Sequence, residues 1–123
     1  MTTPLQILCF RPMSQGARLI RIITTTSTKE EAERIASILV EERLAACCQV
    51  SGPILSVYPW KGKVERDEEW VLSIKTLEGK YRECEEAIKR VHSYELPQII
   101  AFPVEMALEP YGEWVRTWVE EGR

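Results

Sequence analysis

The chain has 123 residues, 45% of them apolar and 28% charged, with a formal net charge of −3. That length supports one domain around one core and is too short for two ordinary ones. The acidic balance leaves no basic footprint for nucleic acid, and no apolar run approaches the ~20 residues a helix needs to cross a bilayer.

Residues 1–18, MTTPLQILCFRPMSQGAR, read as a flexible extension before the folded domain at 19–123. Ile7–Phe10 is too short an apolar stretch for a secretory leader, Arg11 and Pro12 interrupt it, and no positive charge precedes it. The reducing cytoplasm is therefore the expected compartment. Cys9, Cys47, Cys48 and Cys84 show no C-x-x-C spacing, and the single histidine cannot complete a Cys/His zinc set. Cys47 and Cys48 would point to opposite faces of a strand, so the cysteines are expected to be free thiols packing as small apolar side chains.

From Leu19 the pattern becomes regular. LIRIITTT is β-branched and predicts a strand. In the next segment, Thr28 and Glu31 have the spacing of a capping box, and Ala32, Ile35, Ala36, Leu39 and Val40 recur at helical spacing. AACCQVSGPILSVYPW is extended, with Gly52–Pro53 marking a bulge or bend. Lys61–Gly62–Lys63 turns the chain, and VERDEEWVLSIKT returns as a second strand with Trp70, Leu72 and Ile74 on one face. A second helix is predicted around 79–92, striped by Tyr81, Cys84, Ile88 and Val91. Pro97 separates it from the short strand QIIAFPV. Pro110 suits the first turn of a terminal helix carrying Tyr111, Trp114, Val115 and Trp118.

The order β-α-β-β-α-β plus a helix is α+β and ferredoxin-like, an antiparallel sheet with two helices on one face. The other face keeps apolar side chains and the long hairpin has bare edges, which self-association or the third helix would cover.

The residues resemble the CutA family of divalent-cation tolerance proteins. Ser56, Tyr58, Trp60, Gly62 and Lys63 match its S-x-Y-x-W-x-G-K element; Glu69, Lys75–Thr76, His92, Tyr94, Pro97, Tyr111 and Trp114 follow in family order. The resemblance covers Leu19 to the C-terminus. It implies a homotrimer built by strand pairing, similar to PII-type signalling proteins, with a link to copper tolerance and no established reaction. It also implies a ligand cleft between subunits, near Glu69, Lys75, Tyr94 and Glu95. Tyr58, Trp60 and Trp70 could form a stacking platform for a ligand, but packing in the core or at the trimer interface is the expected role, because aromatics supply much of the buried area there.

Metal ligands carry over poorly. The cysteine of the copper-associated pattern is Thr24 here, the usual glutamate after the proline is Gln98, Val91 precedes His92, and Ser93 follows it. His92 alone remains as a metal ligand, so Cu(II) or another divalent cation is expected to bind weakly, and no cofactor is required. The competing reading of His92 is a helix-end histidine bonded to a carbonyl. Glu65–Glu69 reads as a solvated strand tip, with Glu69 nearer the sheet. No G-x-S-x-G elbow or glycine-rich phosphate loop is present, so an enzyme is not expected. Two functions follow: a trimeric protein responding to a metal or small ligand, or an interaction module that presents its surface to another protein.

Overall fold

The computed structural model describes residues 15–121. Four strands and three helices follow the expected order: β1 (Leu19–Thr26), α1 (Lys29–Glu41), β2 (Cys47–Trp60), β3 (Lys63–Leu77), α2 (Tyr81–Val91), β4 (Ile99–Pro103) and α3 (Glu109–Glu120). The sheet order is β2-β3-β1-β4, antiparallel at every pairing, which is the ferredoxin-like arrangement. Among the described residues, no helix is long and apolar enough to cross a membrane.

Side-chain alternation divides the core into two layers. Ile20, Ile22, Leu72 and Ile74 point to one face and meet Ile35 and Leu39 of α1 and Cys84 and Ile88 of α2. Leu19 and its ladder partner Leu77 point the other way and pack with Ala46, Val115 and Val119, so α3 covers one end of the second face. Each such aliphatic side chain contributes roughly 1.5–3 kcal/mol by leaving water. The rest of the second face keeps Ile100 and Phe102 exposed.

Thr28 caps α1 as expected, its hydroxyl accepting from Glu31 N–H at 3.1 Å. The capping box is only half formed, because the Glu31 carboxylate turns instead toward the end of α2 (below). At the other end of α1, Val40 O accepts from Arg43 N–H at 3.0 Å and from Trp118 Nε1–H at 3.1 Å. The Arg43 guanidinium stacks 3.6 Å from the Trp118 ring centroid, so one indole fastens α3 to the end of α1.

The hairpin turns through Lys61 and Gly62, with φ of 50° and 83°. Two consecutive positive φ values belong to the type I′ turn that matches strand twist. At the base of the hairpin the register shifts between Ser51 and Ile54, the irregularity expected at Gly52–Pro53. Gly52 has φ of 146°, and a Cβ there would lie 2.9 Å from Trp70 Cε3. Only glycine fits that approach.

A short element precedes β1. Gln15–Ala17 form a 3-10 turn, Arg18 O accepts from Glu78 N–H at 2.8 Å, and Ala17 O accepts from Arg116 Nε–H at 3.1 Å. Those backbone bonds need partners 60 or more residues away, which local sequence does not reveal. The remainder of the expected extension, residues 1–14, with Cys9, lies outside the described residues.

Candidate functional site at the base of the hairpin

Glu69 sits on β3 where the helices end. Alternation aims it away from α1 and α2, onto the face shared with Ser73 and Lys75. It is 6% exposed, unlike Glu68 and Asp67 beside it, so it is the exception within the acidic run that the sequence indicated. Tyr94 Oη–H donates to Glu69 Oε2 at 2.6 Å. Burial, then this bond and the carboxylate charge, push the Tyr94 phenol well above its ordinary range. On β2, Tyr58 donates to Asp67, and that bond foremost raises its phenol to about 12.

The loop carrying Tyr94 is held by His92. Pro97 and the end of α2 put this segment in extended backbone, and the His92 side chain is fully buried. Its Nε2 lies 2.8 Å from Thr25 O, and its Nδ1 lies 3.1 Å from Tyr94 N. A carbonyl only accepts and a backbone N–H only donates, so these partners select the tautomer with a proton on Nε2. Both ring nitrogens are thereby committed. The Glu31 carboxylate accepts from Ser93 N–H at 2.7 Å and Ser93 Oγ–H at 3.0 Å, and lies 3.6 Å from His92 Nδ1. This explains the diverted half of the capping box: the start of α1 meets the end of α2.

Of the residues expected in a ligand cleft, the fold brings Glu69 and Tyr94 together and leaves the other two apart. Lys75 shares the face of Glu69 but stands six residues along the strand, roughly 20 Å away. It bonds Gln49, its diagonal neighbour on β2. Glu95 is exposed. Trp70, expected in the core or at a subunit interface, turns to the helix-covered face of its own chain and packs against the first core cluster. Tyr58 and Trp60 lie half-buried on the outer hairpin.

The donor set for Cu(II) does not fit within one subunit. His92 has no free ring nitrogen in this arrangement. Thr24 is fully buried on the helix-covered face with Oγ1 unpartnered, and Gln98 is an exposed neutral amide. Among the described residues, no three His, Cys, Asp or Glu side chains converge as a metal cluster. The Thr25, Glu31 and Ser93 contacts escaped sequence reasoning, because no local pattern joins residues more than 60 positions apart.

Residues 20–118 match the family model described as CutA1 divalent ion tolerance protein. The chain is 40% identical over 99 residues to the divalent-cation tolerance protein CutA of Archaeoglobus fulgidus, covering 80% of this chain and 96% of that one. It is 41% identical over 96 residues to protein CutA of Homo sapiens, covering 78% of this chain and 54% of that protein. The solved structure described as the periplasmic divalent cation tolerance protein CutA from Archaeoglobus fulgidus superposes with a TM-score of 0.80 at 39% identity, covering 82% and 98% of the two chains. With the ferredoxin-like order, the hairpin and the His92–Tyr94 loop in place, the chain belongs to the CutA family of divalent-cation tolerance proteins.

Proposed function

We propose that the protein works in divalent-cation tolerance as a homotrimer, binding a cation or a small ligand in clefts between subunits rather than catalysing a reaction. The observation that carries this reading is the buried Glu69 carboxylate, held by Tyr94 at the base of a hairpin rich in exposed apolar residues. Ile54, Leu55, Val57 and Val64 are all exposed there in the single chain, and Tyr58 and Trp60 are only half covered. A neighbouring copy would bury that surface and add the donors that one subunit lacks. Cu(II) is the first cation to test. Weak binding is expected, since His92 must break a backbone bond before it can ligate. The thiols at Cys47, Cys48 and Cys84 are free, which supports a reducing compartment such as the cytoplasm.

The experiment is calorimetric titration of Cu(II) into wild type, Glu69→Gln and His92→Ala, with light scattering for mass. A trimer whose weak binding disappears in Glu69→Gln supports the cleft. A monomer at micromolar concentration removes it. The same exposed hairpin surface favours a second reading, an interaction module, which predicts a trimer indifferent to every cation tested.

A further inference from the structure

Arg21 of β1 and Lys75 of β3 stand directly opposite each other in the ladder, on the sheet face turned away from α1 and α2. Like charges in that relation destabilise a sheet. Neither forms an ion pair among the described residues. Both instead lean the same way along the sheet, onto neutral oxygens. Arg21 Nε–H donates to Ser73 Oγ at 2.8 Å, and Lys75 Nζ–H donates to Gln49 Oε1. Ser73 and Gln49 are themselves ladder partners, so two cations converge on one cross-strand pair. Those bonds occupy acceptors and leave an excess of donors: the terminal guanidinium NH2 groups, the rest of the ammonium, the Gln49 amide NH2 and the Ser73 hydroxyl proton. Ser73 is only 7% exposed, and its proton has no acceptor among the described residues. Along β3 the nearest carboxylate on this face is Glu69, roughly 13 Å from Ser73 and held by Tyr94. Beside the cations the face is apolar, with Phe102, the ladder partner of Arg21 on β4, and Ile100 both exposed.

We propose that Arg21, Lys75, Ser73 and Gln49 form a site for the phosphate group of a small phosphate monoester with an apolar body. A cluster that offers only donors selects an anion, and two cations match the near-double charge of a phosphate monoester at neutral pH. The guanidinium fork takes two phosphate oxygens side by side, while the ammonium and the Ser73 hydroxyl reach the third. Because Ser73 already holds Nε and Gln49 already holds Nζ, both cations are oriented before the ligand arrives, which lowers the cost of binding. Phe102 and Ile100 then receive the apolar body next to the charged end. Bound phosphate also removes the repulsion between Arg21 and Lys75, so the ligand stabilises the sheet as well as itself. This site takes an anion and uses neither Glu69 nor Tyr94, so it stands or falls without the cation reading of the cleft.

Phenyl phosphate is the probe, titrated by calorimetry into the full chain in low-salt, phosphate-free buffer near neutral pH, with inorganic phosphate and succinate as comparisons. One molecule per subunit is expected, bound more tightly than either comparison. Affinity should fall about 10-fold or more in Arg21→Gln and in Lys75→Gln, and stay within about threefold in Lys89→Gln, which removes an exposed cation on α2. Thermal unfolding gives a second readout: phenyl phosphate should raise the midpoint of wild type and leave that of Arg21→Gln unmoved. Without the probe, Arg21→Gln should be at least as stable as wild type, because the repulsion leaves with the charge. A silent wild-type titration overturns the site, as it would if a carboxylate from a second copy already neutralised the pair. Affinity retained in Arg21→Gln or Lys75→Gln, or equal affinity for succinate, overturns it too.

Discussion

Tyr94 Oη and Glu69 Oε2 meet at 2.6 Å, joining the loop after α2 to the base of the hairpin. A buried carboxylate that loses its hydrogen-bond donor bears the desolvation cost alone. Tyr94→Phe should therefore destabilise the protein by about 1.5–3 kcal/mol, the range for hydrogen bonds to charged groups. Urea unfolding of Tyr94→Phe, Glu69→Gln and the double variant measures the coupling. A double variant equal to the sum of the singles would show that the bond contributes nothing.

Thr24 presents the opposite case. Its Oγ1 is buried with no partner, between ladder neighbours Leu72 and Ile99. Replacing an unsatisfied hydroxyl by a methyl of similar shape removes a desolvation cost. Thr24→Val should raise stability by about 1 kcal/mol. Thermal unfolding at fixed protein concentration gives the answer, and a loss of stability would mean that the hydroxyl has a partner, such as a buried water.

Gly52→Ala tests the bend in β2. Its φ of 146° is rarely adopted by L-residues, and the added Cβ would also stand 3.1 Å from Glu69 O. Strain and overpacking together should cost about 2–4 kcal/mol, with a shift in Trp70 fluorescence. A stability within about 0.5 kcal/mol of wild type would show that Trp70 yields easily.

Alkali should unfold the protein through its thiols. Burial raises Cys48 and Cys84 from 9.0 to about 12, and Tyr94 is raised as well. Raised folded values mean that the native state holds these protons more tightly. The contribution is complete below pH 9, declines as the unfolded thiols ionise first, and is lost as pH passes about 12. The urea midpoint should be flat from neutral pH to about 8.5 and fall beyond it, in step with thiolate absorbance. A Cys48→Ala, Cys84→Ala chain should show a shallower fall; an unchanged slope would place the effect on the phenols.

The parts of the fold written in short-range chemistry were legible in the sequence. The β-branched run of β1, the Thr28 cap and the Lys61–Gly62 turn each act within a few residues, so pattern and structure agree there. The site was legible only where residues close in space also carried a signal, as Glu69 and Tyr94 did through the family motif. Lys75 shared that motif and the same sheet face, yet strand rise carried it far along β3. Glu31 illustrates the converse: its spacing announced a cap, but a donor at Ser93, brought near by the packing of two helices, won the carboxylate.

One strand holds two very different environments. From Leu72 to Leu77, β3 lies between β1 and β2 with α1 and α2 packed over Leu72 and Ile74, whereas Val64 to Glu68 pair with β2 alone. Amide protons along a single continuous strand should therefore exchange on widely separated timescales, slowly near Ile74 and quickly near Val64. The outer hairpin has the character of a limb that acquires its rigidity from whatever it touches. Its exchange rate is thus a built-in reporter, slowing when a neighbour arrives and quickening when it leaves.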